Sequence, residues 1–193
     1  MKQRSNRKLA GEVRIIGGEW RGRRVPVVPV EGLRPTGDRI RETLFNWLAP
    51  SISGMNCLDL FAGTGVLGLE ALSRGAVRAC FVEKRTEAAT AIEDMLGRLG
   101  AAGGRVVQAD ALRFLEGPAE PFDLVFLDPP FEAAAHGRLC TLLARGWLAE
   151  GARVYLEMPA KAALPEMPQG WQLLREKTAG HVRYALVAAG PAR

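Results

Sequence analysis

The chain has 193 residues, 48% of them hydrophobic and 24% charged, with a net charge of +5; that is enough for one domain with a sizeable core. Three scattered cysteines (Cys57, Cys80, Cys140), with no CxxC pair, and only two histidines (His136, His181) argue against a zinc site or a disulfide framework and fit a reducing cytoplasm. No apolar run approaches the roughly 18 residues of a membrane span, and the basic amino end lacks the apolar core of a signal peptide.

Charge is unevenly placed. Residues 1–41 hold eleven Lys/Arg against four Asp/Glu, a surplus of seven, so the remainder is net negative by two. A basic arm on a near-neutral domain reads as a contact for phosphates. For the first few residues, with Lys2, Arg4, Arg7 and Lys8, a merely solubilising tail explains the charge as well.

From Val13 to Val28, two β-prone runs separated by glycines predict a hairpin, with Pro26 keeping the second strand at an edge. Arg14, Arg21, Arg23 and Arg24 alternate with apolar positions, and Trp20 sits among them. Arginines beside an exposed aromatic suit an RNA backbone and an unstacked base; the alternative is a small ribbon packed on the main domain. After the loop Leu33–Asp38, a helix is expected from Asp38 to Leu48, with Asp38 as its N-cap and Ile40, Leu44, Trp47 and Leu48 on one face. Arg34, Thr36 and Asp38 gather at its amino end, where backbone N–H groups can hold an anion. Pro50 to Gly54 then breaks the helix and separates the arm from the main domain.

The run Cys57-Leu58-Asp59-Leu60-Phe61-Ala62-Gly63-Thr64-Gly65 predicts a buried strand and a glycine turn, followed by an amphipathic helix through Leu72. Gly63 and Gly65 let the backbone pass close to a ligand. A second strand from Ala76 to Val82 ends at Glu83, about 20 residues on, the interval at which an acid meets a ribose diol. Asp59 before the turn is ill suited to a pyrophosphate and suits a cationic amino-acid moiety, which favours S-adenosylmethionine over NAD. The alternative is a tight strand–helix turn with an exposed acid at a strand end.

A third strand, Arg105–Gln108, leads to Asp110, which can accept from an adenine amino group. A fourth, Phe122–Leu127, ends at Asp128-Pro129-Pro130-Phe131. Two prolines stop the strand and fix an extended turn. That turn offers a carboxylate and the Pro129 carbonyl as acceptors for the two hydrogens of a planar amino group, and Phe131 as a surface on which a base can stack. An ordinary proline turn is the plain alternative. A helix over about residues 133–145, a strand Ala152–Met158 and a closing hairpin, Gln172–Lys177 with Val182–Ala188, complete the chain. Strands alternating with helices predict a doubly wound, mostly parallel sheet. His181 reads as a turn residue and His136 as an exposed helix residue.

Together, Asp59-Leu60-Phe61-Ala62-Gly63-Thr64-Gly65, Glu83, Asp110 and Asp128-Pro129-Pro130-Phe131 resemble the class I S-adenosylmethionine-dependent methyltransferases that modify amino groups. More narrowly, Arg14-Ile15-Ile16-Gly17-Gly18, Arg21-Gly22-Arg23, Arg34-Pro35-Thr36 and Arg41-Glu42-Thr43-Leu44-Phe45-Asn46-Trp47-Leu48 resemble the bacterial family that methylates N2 of guanine 966 in 16S ribosomal RNA. With Leu67–Ala76, the resemblance covers about residues 13–190. It implies an α/β, Rossmann-like fold: a seven-stranded, mostly parallel sheet with one antiparallel strand, plus an N-terminal β-hairpin and helix. It divides the chain into a basic flexible tail (1–12), an RNA-contacting extension (13–50) and a methyltransferase domain (51–193).

The resemblance also implies roles. Asp128, Pro129, Pro130 and Phe131 would handle the target base. Asp59, Phe61, Gly63, Gly65, Glu83, Lys84, Asp110, Ala111 and Asp128 would line the cofactor site, and Arg14, Trp20, Arg21, Arg23, Arg24, Arg34 and Thr36 would meet RNA. A monomer acting on the small ribosomal subunit or an assembly intermediate, without metal or membrane, is what it implies for partners. Two rivals stand: an adenine-N6 methyltransferase on DNA or RNA, because Asp-Pro-Pro-aromatic does not name the base, and a non-catalytic RNA-binding assembly factor. The absence of an added domain for reading duplex DNA argues against DNA.

Overall fold

The structure, a computed structural model, describes residues 11–29, 36–130 and 136–190. Arg34, Phe131 and residues 1–10 of the basic tail therefore lie outside the described residues. A short ribbon of β1 (Gly11–Arg14) and β2 (Arg24–Val27) comes first, followed by α1 (Asp38–Leu48). Then strands and helices alternate: β3 (Asn56–Asp59), α2 (Val66–Ser73), β4 (Arg78–Glu83), α3 (Thr86–Leu99), β5 (Gly104–Gln108), α4 (Ala111–Leu115), β6 (Phe122–Leu127), α5 (His136–Leu143) and β7 (Leu148–Pro159). The chain closes with β8 (Gln172–Ala179) and β9 (Val182–Ala188).

The main sheet has the order β5-β4-β3-β6-β7-β9-β8, and β9 alone runs against the other six strands. This is the expected architecture. The inner strands β3, β4, β6 and the part of β7 over residues 152–158 are largely apolar on both faces because helices cover both, and the alternation of side chains sorts them into two cores. Cys57, Phe81, Leu124, Phe126 and Tyr155 face α1, α2 and α3. Their neighbours Leu58, Val82, Val125, Leu127 and Leu156 face α4, α5 and Trp147. From β3 the chain steps outward through β4 to β5, then returns to place β6 on the other flank of β3. The crevice at that reversal, between the carboxyl ends of β3 and β6, is where ligands of doubly wound sheets sit.

Helix α2 departs from expectation. Its apolar run predicts one solvent face, yet every residue from Val66 to Ser73 is buried, including Glu70 and Ser73. The cause is the N-terminal extension, which lies over the face that would otherwise meet water. Ile15, Val25, Ile40, Leu44 and Leu48 join the same core as Phe81 and Phe126. The β1–β2 connection is seated on the end of α2: the Glu19 N–H donates to the Ser73 carbonyl (2.7 Å), the Trp20 N–H to the Ser73 hydroxyl (2.9 Å), and that hydroxyl to the Gly17 carbonyl (2.6 Å). Gly18 has φ +77°, and a Cβ there would stand 1.8 Å from the Ser73 carbonyl oxygen. No other residue fits that seam without moving it.

Helix α1 has the expected bounds but a different amino end. Gly37 occupies the N-cap position and Asp38 is the first helical residue. Its carboxylate does not cap; it pairs with Arg41 at 2.6 Å and with Arg14 at 3.7 Å, because a buried guanidinium three residues on competes for it. On the buried face, Arg41 and Phe45 join Ile40, Leu44 and Leu48, while Trp47 is half-buried and stacks on Tyr184.

Candidate active site

Strand β3 ends at Asp59, and the backbone then turns through Gly63 (φ +54°) and Gly65 (φ +75°) into α2. Both angles lie in the left-handed region that glycine occupies without strain. Gly65 is also close-packed, since a Cβ there would meet Ile92 of α3 at 3.0 Å. Glu83 ends the neighbouring β4 and curls back on this turn: it accepts from the Gly63 N–H at 2.8 Å and from the Arg85 N–H at 2.9 Å. The glycine turn and the acid some 20 residues on therefore meet. Lys84 is exposed, Phe61 is half-buried, and Ala111 is buried at the start of α4. Asp110 is exposed and caps α4, its Oδ1 accepting from the N–H groups of Leu112 and Arg113 at 3.0 and 3.3 Å. One of its oxygens is thus already engaged.

Asp59 is buried and accepts from the Gly68 N–H at 3.1 Å. Burial pushes its carboxyl up to about 7; the Gly68 bond opposes this and the Glu83 charge adds to it. Among the described residues no Lys or Arg forms an ion pair with it. This carries a prediction. The folded protein binds a proton on Asp59 between about pH 4 and pH 7 that the unfolded chain releases, so this group costs stability above that window and nothing below it. Asp59→Asn is expected to raise the unfolding temperature at pH 8, to leave it unchanged at pH 4, and to weaken binding of a ligand carrying an ammonium group. Thermal melts at the two pH values, with ligand titration, check it.

The second half of the site is one strand away. In the parallel pair of β3 and β6, Asp59 lies opposite Phe126, so Asp128 stands two residues beyond it at the same edge. Pro129 is buried, Pro130 is exposed, and Asp128 is partly exposed. Loss of water, the charge of Glu157 and that of Asp59 together hold the Asp128 carboxyl well above its ordinary range. The Thr36 hydroxyl donates to it at 3.3 Å. Thr36, read as one of the groups that can hold a carboxylate or phosphate at the amino end of α1, is buried and turned inward to the carboxylate of Asp128.

Behind Thr36 stands a network that sequence reasoning missed. Arg41 is fully buried. Its Nε donates to the Thr36 carbonyl at 3.1 Å, and both terminal nitrogens reach the Arg14 carbonyl at 3.1 Å. Glu70, also fully buried, accepts from the N–H groups of Ile16 and Gly17 at 2.8 Å each, from Arg74 at 2.8 Å and from Arg41 at 3.5 Å. The signals were there: a lone carboxylate inside Val66–Ser73, and an arginine three and four residues before Leu44 and Phe45 on a helix face. Glu157 and Tyr155, beside Asp128 on β7, were missed as well.

On the ribbon, Arg14, Arg21, Arg23 and Arg24 are exposed. Arg24 pairs with Glu12 at 2.8 Å and Arg14 with Asp38. Trp20 is half-buried against the main core rather than free to stack as an exposed ring, because Ser73 anchors its backbone.

This sheet order, with its glycine turn and strand-end acids at the reversal point, is that of a Rossmann-like class I methyltransferase. The chain belongs to the family described as "Conserved hypothetical protein 95", whose profile matches residues 13–188. It is 47% identical over 185 residues to the ribosomal RNA small subunit methyltransferase D of Escherichia coli K12, covering 95% of this chain and 93% of that protein. The protein of the same name from Haemophilus influenzae is 45% identical over 191 residues, 96% of this chain and 98% of the relative. Among solved structures, the Escherichia coli protein yhhF superposes with a TM-score of 0.88 at 45% identity, covering 95% of this chain and all of that one.

Proposed function

We propose that this protein transfers a methyl group from S-adenosylmethionine to the exocyclic N2 of a guanine in 16S ribosomal RNA, acting on the small subunit or its precursor. The observation that carries the reading is the position of Asp128: a carboxylate held by Thr36, beside a proline-fixed backbone carbonyl, one strand from the glycine turn and opening on the same crevice. Relatives named as small-subunit RNA methyltransferases at 45–47% identity support the RNA as substrate.

The donor set fits the cofactor. Asp59, a buried acid with no basic ion-pair partner among the described residues, would take the ammonium of the methionine end. Glu83, already steered by the Gly63 N–H, would take the ribose, and the second oxygen of Asp110 the adenine. When bound, S-adenosylmethionine supplies an electrophilic methyl carbon, the carbon–sulfur electron pair leaving with sulfur as the nitrogen–carbon bond forms. The chain's own contribution is to the nitrogen. Asp128 and the Pro129 carbonyl accept its two hydrogens, which favours a more pyramidal nitrogen whose lone pair is less delocalised into the ring, and Asp128 takes the proton the methylated nitrogen sheds.

Incubating the protein with labelled S-adenosylmethionine and 16S RNA, free or in particles, and mapping the modified base tests the reading. Label on an adenine N6, or in DNA, would overturn it, and so would failure to label any RNA. The ribbon adds a prediction. Changing Arg21, Arg23 and Arg24 together to Ala should weaken RNA binding and reduce the slope of log affinity against log salt by about 2, at roughly 0.7–0.9 for each phosphate no longer neutralised. Filter binding across a salt series measures it; an unchanged slope would assign these arginines elsewhere.

A further inference from the structure

Glu157 is a buried carboxylate, 5% exposed, that the methyl transfer does not use directly. It lies beside the acid that the transfer does use. In the β6–β7 pair Leu127 is opposite Leu156, so Asp128 and Glu157 are the next residues in register, at the carboxyl edge of two adjacent parallel strands. Glu157 is held from both sides. The Tyr155 hydroxyl donates to its Oε2 at 2.8 Å, and its carbonyl accepts from His136 Nε2 at 2.9 Å. The Thr36 hydroxyl that donates to Asp128 also faces Glu157. Among the described residues, the titratable groups facing the two acids are Asp59 from β3, Tyr155 from β7 and His136 from the start of α5, whose imidazole burial makes harder to protonate. None of these three is a Lys or Arg.

We propose that Asp128 and Glu157 form a coupled carboxylate pair, in which Glu157 acts as a positioning residue that, without touching the substrate, sets how strongly Asp128 accepts a hydrogen from the target amine. The proposal rests on the methyltransferase reading for what Asp128 does. The physics is that of two acids sharing one poorly hydrated space: they take up protons as a unit, the first easily and the second only at lower pH. Burial pushes Glu157 above its ordinary range, against the hydrogen bonds of Tyr155 and Thr36, and the Glu157 charge in turn raises Asp128. A carboxylate beside a second negative charge is a stronger acceptor than one standing alone. Asp128 works only when unprotonated, so transfer is lost as pH falls through the raised value of the pair.

Glu157→Gln keeps the shape of the side chain and the acceptor for Tyr155 but removes the charge. The acid limb of the single-turnover rate, followed from about pH 5 to about pH 9, should then move to lower pH by about 1 unit, with a several-fold lower plateau. Glu157→Asp, which keeps the charge, should hold the limb near its wild-type position. In the wild type, with carboxyl carbons labelled with carbon-13, both side chains should titrate in two steps. An acid limb unmoved in Glu157→Gln while transfer persists, or independent one-step titrations in the wild type, overturns the pair. The carbon-13 measurement decides the matter if Glu157→Gln does not fold. It also separates the two readings: a wild type that transfers no methyl group defeats the proposed function, while a two-step titration still establishes the pair.

Discussion

Asp128→Ala is expected to abolish methyl transfer, lowering the single-turnover rate by about 10²- to 10⁴-fold, the range over which a positioned proton acceptor contributes, while changing affinity for S-adenosylmethionine by no more than several-fold. The asymmetry follows from geometry. Asp59, Glu83 and the glycine turn lie on β3 and β4, whereas Asp128 closes β6 and is tied to Thr36 rather than to the turn. Removing it takes the acceptor from the amine and leaves the acids proposed to hold the cofactor. Isothermal titration with the cofactor, beside rapid-quench transfer rates, separates the two effects. Equal loss of both would mean that Asp128 holds the cofactor rather than the base.

Glu70→Ala should produce the largest loss of stability, about 3–5 kcal/mol, which for a chain of this size is a fall in melting temperature of about 10 °C or more. Four donors converge on this one carboxylate: two backbone N–H groups of the ribbon and two arginines, Arg41 fully buried. Truncation leaves the N–H groups of Ile16 and Gly17 without an acceptor and a guanidinium in the core short of counter-charge, which costs more than the pair itself contributed. Glu70→Gln should be milder in packing yet still costly, because an amide offers one acceptor where the carboxylate offers two. Differential scanning calorimetry of the two variants gives the comparison. A loss below about 1 kcal/mol for Glu70→Ala would show that the ribbon is held chiefly by its apolar contacts with the core.

The sheet and the crevice were legible because they are written locally. Buried parallel strands appear as apolar runs, the turn at Gly63 and Gly65 as glycine spacing, and the strand-end acids as single carboxylates where those runs stop. The interval from Gly63 to Glu83 carried real geometry, since the two meet at 2.8 Å. What stayed hidden was long-range. Apart from Asp38 on its own helix, the partners of Arg41 lie in the ribbon, in the loop before α1 and on α2. Nothing near residue 41 names them, although its place on an apolar face was a warning. Asp38 was misjudged as a cap because a competing guanidinium one turn on outbids the backbone. Trp20 reads as exposed from its own segment because the docking at Ser73 is invisible from either segment alone. Glu157 escaped for the same reason: its meaning depends on the register between β6 and β7, which places it beside Asp128.

The seat of the ribbon on α2 bears on how such a protein can diversify. The guanidinium of Arg41 grips the Arg14 carbonyl at the root of the ribbon and the Thr36 carbonyl just ahead of the hydroxyl that reaches Asp128. The ribbon proposed to meet RNA and the corner proposed to hold the base thus share one keystone, so exchanging the ribbon wholesale would unsettle the chemistry. Among the described residues of the ribbon, change is easiest at the solvent-facing stretch Arg21 to Arg24, while Gly18, Arg41, Glu70 and Ser73 form a joint that descendants must inherit together or rebuild at once.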